Sequence, residues 1–167
     1  AISTGTIDGY SAALFYTITY VIMAAGSLGF VIMLSDRGFE SDLIDDFKGL
    51  SQRSPWFALM MMFFMLSMAG IPPWVGFFAK LDVITAVVDA GFSGFAVVMV
   101  LASVIGAYYY LRIIWFMYFE KAENTAPIKI SNDFKLVMSI NGLLVLVLGG
   151  FPEWLMSFCT RVISLTV

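Results

Sequence analysis

Five apolar runs are packed into this chain of 167 residues, at about 11–34, 55–69, 74–90, 94–119 and 134–163. A bilayer core of roughly 30 Å takes about 20 helical residues, and the first, fourth and fifth runs are long enough. Hydrophobic residues make up 60% of the chain and charged residues 13%. Soluble domains average roughly 45–50% apolar and about 25% charged. A soluble fold of this size buries only about 70% of its chain surface, so the surplus apolar surface needs lipid. The sequence therefore predicts an all-α fold, a polytopic transmembrane helix bundle of about five spans. It reads as a single membrane domain over 1–167, with polar loops at 35–54 and 120–133.

Composition also excludes chemistry. Lys and Arg are scattered around a net charge of −3, with no basic stripe for nucleic acid. Cys159 is the one cysteine and there is no histidine. That removes a disulfide framework, a Cys/His zinc site, a histidine general acid and a Ser-His-Asp triad from this chain. No metal and no cofactor is expected in it. The methionines Met60, Met61, Met62, Met65 and Met68 read as flexible apolar filler in a helix rather than as soft-metal ligands. Gly26-x-x-Gly29 follows no strand pattern and is no nucleotide fingerprint. The chain starts at Ala1, and Asp8 and Gly9 interrupt any signal-peptide pattern. A fragment, a processed chain or a split subunit is expected.

The second and third runs are joined by Gly70-Ile71-Pro72-Pro73. Two successive prolines remove two backbone donors, and a helix cannot pass them undistorted. Either a tight turn makes a hairpin, or one long helix breaks inside the membrane, where irregular backbone needs protein or water around it. Basic residues bear on the choice. With five spans, Lys121, Lys129 and Lys135 on one face oppose Arg37, Lys48, Arg53 and Arg161 on the other, which gives no bias. With the break inside a single span, Arg161 alone opposes the other six, as the positive-inside rule prefers. Length argues the other way, because residues 55–90 as one straight helix would measure about 54 Å. Five spans is the expectation kept.

Lys80 is the sharpest candidate for chemistry. It sits seven residues past Pro73 among Phe77, Phe78, Leu81, Val83 and Ile84, about 10 Å into its run if helical. An ammonium there costs several kcal/mol, roughly, unless it faces protein or water. Burial and neighbouring charges govern the protonation of such an amine, which suits a proton relay. The plainer reading is a lysine that snorkels to a headgroup. Gly76 lies one turn earlier on the same face and leaves room for another backbone or a water to approach. Asp82 is about 200° around the helix from Lys80 and becomes a partner only if the helix is distorted. It shares a face with Thr85 and Asp89 instead.

Other polar residues recur at helical spacing. Ser103, Gly106, Ala107 and Tyr110 form one stripe, and Tyr16, Thr19, Tyr20, Ala24 and Ser27 another. Small residues allow close helix packing, and hydroxyls can bond across the contact. Each stripe reads as a helix-facing or hydrated surface, which packing alone also explains. Tyr108 and Tyr109 fit an interfacial aromatic belt. Arg112 lies within snorkelling reach of its segment end.

The run Leu66-Ser67-Met68-Ala69-Gly70-Ile71-Pro72-Pro73-Trp74-Val75-Gly76-Phe77-Phe78-Ala79-Lys80 resembles the late signature of the antiporter-like subunits of respiratory complex I. It is most similar to the subunit N family of NADH–quinone oxidoreductase. Ser27-Leu28-Gly29, Lys48-Gly49-Leu50, Arg53-Ser54-Pro55, the run from Ser103 to Arg112, and Leu146-Val147-Leu148-Gly149 with Pro152 extend the match, in order, over essentially the whole chain.

The resemblance implies a fourteen-helix family of two inverted five-helix repeats with flanking helices, of which this chain would supply the C-terminal five. It implies that Lys80 is the proton-relay lysine of a late broken helix, in a half-channel to the outer compartment. It implies a proton-translocating membrane subunit that couples remote redox chemistry to proton movement, not catalytic by itself. The remaining N-terminal part of the subunit, adjacent antiporter-like and small membrane subunits, and lipid would be its partners. The location implied is the bacterial inner membrane, ahead of the mitochondrial one. A subunit of a multisubunit cation/proton antiporter or of a membrane-bound hydrogenase is the alternative. A structural membrane scaffold, with Lys80 a packing residue, is the second.

Overall fold

The structure, a computed structural model, describes residues 1–35, 44–122 and 131–166. Arg37, Lys129 and the rest of 36–43 and 123–130, within the two predicted polar loops, lie outside the described residues. The described residues are mostly helical, with no strand among them. Helix α1 spans Ile7–Ser35, α2 Leu50–Arg53, α3 Pro55–Ala69, α4 Val75–Asp89, α5 Ser93–Phe119, α6 Asn132–Gly150 and α7 Pro152–Thr166. A short 3-10 helix at Ile44–Phe47 precedes α2. Three helices, α1, α5 and α6, are long and apolar enough to cross a bilayer singly.

Local signals set the boundaries. Pro55 opens α3, where its missing N–H has no intrahelical partner to lose. Gly70 closes α3 at φ 81°. Its N–H donates to the Leu66 and Ser67 carbonyls, and Ile71 N–H also donates to Leu66, which satisfies the ends of that turn. Ser131 caps α6 by accepting from Phe134 N–H at 3.3 Å. Pro152 opens α7 directly after α6.

The order of contacts decides how α3 and α4 are joined. Along α1 in reverse, Phe30 packs on Phe57 and Phe64, Gly26 faces the Phe64 ring, and Tyr20 and Tyr16 line a cavity with Lys80. Along α6 in the forward direction, Ser139 Oγ accepts from Trp56 Nε1 at 2.8 Å, Gly142 faces Met60, and Gly149 faces Pro73 and Val75. Both rulers advance without reversing through the break. Helix α5 runs back from beside α4 to Phe116, whose carbonyl accepts from Gly49 N–H at 3.1 Å. So α3 and α4 follow end to end, each only about 22 Å long, and make one broken crossing.

The helical membrane bundle expected from composition is what the structure holds, but the count of about five spans is revised. The described residues make four antiparallel crossings, α1, α3–α4, α5 and α6–α7. The fifth apolar run, 134–163, is likewise interrupted, at Phe151. The five helices implied by the resemblance are revised in the same way. The reason is physical: prolines at 72 and 73 end α3, and α1 and α6 packing alongside both half-helices carry the chain onward rather than back. The basic residues now fall as the positive-inside rule prefers. Lys48, Arg53, Lys121 and Lys135 flank the end where α3 and α6 begin, and Arg161 lies in α7 toward the other.

The core is built from Phe15, Phe30, Met60, Met61, Phe64, Met117 and Val145, all almost fully buried. Met60, Met61 and Met65 are packing residues within it.

Candidate functional site

An α-helix bonds each N–H to the carbonyl four residues earlier. Pro72 and Pro73 have no N–H, so the carbonyls of Met68 and Ala69 lose their helical partners by sequence alone. Leaving two such acceptors unmet in a dry interior costs about 1–3 kcal/mol each. Lys80 supplies what is missing. Its Nζ donates to Met68 O at 2.8 Å and to Ala69 O at 3.1 Å. The third donor goes to Ser103 Oγ of α5 at 2.9 Å. A lysine ammonium has three N–H groups, and here each has one oxygen.

Glycines make this approach feasible. A Cβ on Gly70 would stand 2.9 Å from Lys80 Cδ and 3.1 Å from Nζ. A Cβ on Gly76 would collide with the Ser67 carbonyl oxygen. The Gly76 N–H instead donates to the fully buried Ser67 Oγ at 3.0 Å, joining the two half-helices across the break. Pro72–Pro73 is a cis peptide. On the far side, a Cβ on Gly149 would lie 2.6 Å from Pro73 O.

Two cavities share Lys80 and Ser103 in their walls. One, of about 480 Å³, is lined by Tyr16, Tyr20, Gly76, Ser103 and Tyr110 together with Lys80. The other, of about 220 Å³, is lined by Gly70, Phe77, Leu81 and Val104 together with Lys80 and Ser103. Tyr16 and Tyr20 stack one turn apart, with ring centroids 6.1 Å apart. The hydrogen-bond partners of Lys80 among the described residues are neutral oxygens. Dipoles steady the ammonium without pinning it in an ion pair, whose rupture in a buried setting costs about 3–5 kcal/mol. Such an amine can hold a proton and release it.

The structure thus brings together Lys80, Gly76, Ser103, Tyr20 and Tyr110, with Gly70, Pro72 and Pro73 forming the break beside them. It does not bring in Asp82 or Arg112. Asp82 turns toward α1 and α7, within electrostatic range of Asp8 and Cys159. Arg112 is exposed, its guanidinium 5.5 Å from the Phe116 ring at the basic end of the bundle. Sequence reasoning missed the Met68 and Ala69 carbonyls as lysine acceptors, although counting four residues back from each proline finds them. It also missed Gly149, whose role needs α6 in place.

Comparison with known proteins gives a consistent picture. A family model described as NADH:quinone oxidoreductase/Mrp antiporter, TM, matches residues 1–106. NADH-quinone oxidoreductase subunit N of Thioalkalivibrio sulfidiphilus is 54% identical over 163 residues, covering 98% of this chain and 34% of that protein. The same-named subunit of Nitrosomonas europaea is 52% identical over 157 residues, covering 94% and 33%. A chain of respiratory complex I from Thermus thermophilus with bound aureothin superposes with a TM-score of 0.77 at 26% identity, over 89% of this chain and 34% of that one. The chain spans about a third of the length of the curated relatives it matches.

Proposed function

The chain belongs to the NADH:quinone oxidoreductase/Mrp antiporter family, and from that premise we propose that it is the C-terminal part of a proton-translocating membrane subunit of NADH:quinone oxidoreductase, with Lys80 as its proton relay. The observation that carries this reading is the seat of Lys80 Nζ. It sits in a broken crossing on three neutral oxygens, and Lys80 lines two cavities. A lysine that snorkels to a headgroup would have no use for carbonyls inside the break. The named relatives are subunits of NADH-quinone oxidoreductase, which favours this reading over an antiporter or hydrogenase subunit.

In this reading the chain holds no cofactor, and NADH oxidation and quinone reduction belong to other subunits. This subunit turns a remote electrostatic or conformational change into a change of proton occupancy at Lys80. Its partners are the remainder of its own subunit and the neighbouring membrane subunits, in a bacterial inner membrane. The chain by itself is not catalytic. Gly76, Ser103, Tyr20 and Tyr110 serve as supporting groups around the amine.

The test uses the full-length subunit in its assembled complex. Lys80→Ala and Lys80→Arg are compared with wild type for NADH-driven proton uptake into inverted membrane vesicles, with assembly checked by native electrophoresis. Both variants should lose pumping while the complex still assembles. Wild-type pumping by an assembled K80A complex would leave Lys80 a packing residue of a scaffold.

A further inference from the structure

The three oxygens around Lys80 are not equivalent. Backbone carbonyls of Met68 and Ala69 can only accept hydrogen bonds, whereas the Ser103 hydroxyl can accept or donate. With the amine charged, its three N–H groups meet three acceptors at 2.8, 3.1 and 2.9 Å. With the amine neutral, two N–H groups suffice for the two carbonyls. The freed lone pair on Nζ then faces a hydroxyl that turns its own hydrogen toward nitrogen. The Met68 and Ala69 carbonyls and the Lys80 nitrogen keep a partner in both states, and no backbone has to move.

We propose that Ser103 is the positioning residue that lets the Lys80 seat hold both protonation states, its hydroxyl reversing from acceptor to donor as the amine releases its proton. This rests on the relay reading of Lys80 above. The exchange balances. The amine first swings one N–H out of the bond to Ser103 and into an adjoining cavity. There the N–H bond breaks, its proton passes to water and the electron pair stays on nitrogen. On its return that pair faces the Ser103 O–H, which reorients without ionising. Location supports the role, because Lys80 and Ser103 each line both cavities. Titratable side chains facing the amine from neighbouring helices are Tyr16 and Tyr20 of α1 and Tyr110 of α5. Asp82 on α4 faces away, toward α1 and α7.

The experiment reads the pH profile of NADH-driven proton pumping by the assembled complex carrying full-length variants. Ser103→Ala takes a charge-assisted bond from the ammonium and a weaker neutral one from the amine, so the alkaline limb should move to lower pH by about one unit, the order of the difference between the two. Ser103→Asp favours the ammonium, so its alkaline limb should move to higher pH and its maximal rate should fall. Ser103→Thr keeps a hydroxyl and should restore the wild-type profile, and its near-isostere Ser103→Val should behave like S103A. The Thr and Val pair carries the test if S103A assembles poorly, since the two differ chiefly in the hydroxyl. Coincident profiles for Thr and Val overturn the role of Ser103. Pumping that survives K80A overturns the relay itself, a separate result.

Discussion

Gly149 of α6 lies against the carbonyl of Pro73, so the two interrupted crossings touch where each of them breaks. A Cβ on Gly149 would come within 2.6 Å of Pro73 O and 2.9 Å of Val75 N. Two residues later α6 ends at Phe151, while Pro73 leads into α4. Helix α6 thereby supplies a wall for the non-helical backbone of the first break. Irregular backbone at membrane depth is tolerated only when protein or water surrounds it, and Gly149 lets the protein side close in.

Replacing Gly149 with Ala should therefore disturb the break without touching Lys80 directly. The atoms it meets are backbone, which cannot swing aside as a side chain tip would. Overpacking of this kind costs about 1–3 kcal/mol. A thermal unfolding scan of the full-length subunit in detergent should show a lower midpoint for G149A. A Gly150→Ala control should stay near wild type, since nothing lies within 4 Å of a Cβ there.

The same reasoning applies more strongly to Gly76. Its added Cβ would run into the Ser67 carbonyl, and the Gly76 N–H to Ser67 Oγ bond would be strained with it. Gly76→Ala should lower the amount of assembled complex, measured in membranes by native electrophoresis. Ser67→Ala should be milder, about 1–3 kcal/mol for a buried donor left unmet, and should still assemble.

Much of this site was legible in the residues. Lys80 stands out as an ammonium among apolar neighbours, and helical spacing sets Asp82 roughly 200° around from it. Helical spacing pairs Gly76 with Lys80, and the stripes of α1 and α5 carry Tyr20, Ser103 and Tyr110 into one cavity. What stayed hidden is the path of the chain through the break. Prolines at 72 and 73 state that a helix stops, and they leave open whether the next one returns or continues. That choice depends on how α1 and α6 pack alongside, a set of contacts between residues such as Phe30 and Phe64 or Trp56 and Ser139 that lie far apart in sequence. The break at Phe151 was visible as Pro152 within a long apolar run, but its alignment with the first break was not.

Asp82 provides a contrast with Lys80 two residues away. Its carboxylate faces α1 and α7 and lines neither cavity beside the amine. Asp82→Asn should thus leave NADH-driven pumping close to wild type in an assembled complex in which K80A abolishes it. Equal loss in the two variants would place Asp82 on the proton path.

Membrane orientation follows from four crossings where five would have left it open. Lys48, Arg53, Lys121 and Lys135 gather at one end of the bundle and Arg161 lies toward the other, so the positive-inside rule puts the first end in the cytoplasm. The native Cys159 is buried and can be replaced by Ser to give a thiol-free background. Single cysteines at exposed Gln52 and Lys121 bracket α3, α4 and α5, so one broken crossing followed by α5 puts both on the same face. Q52C and K121C should both react with a membrane-impermeant maleimide in inverted vesicles. Labelling of the two from opposite sides would mean that α3 and α4 fold back as a hairpin, which would also remove Lys80 from a broken crossing.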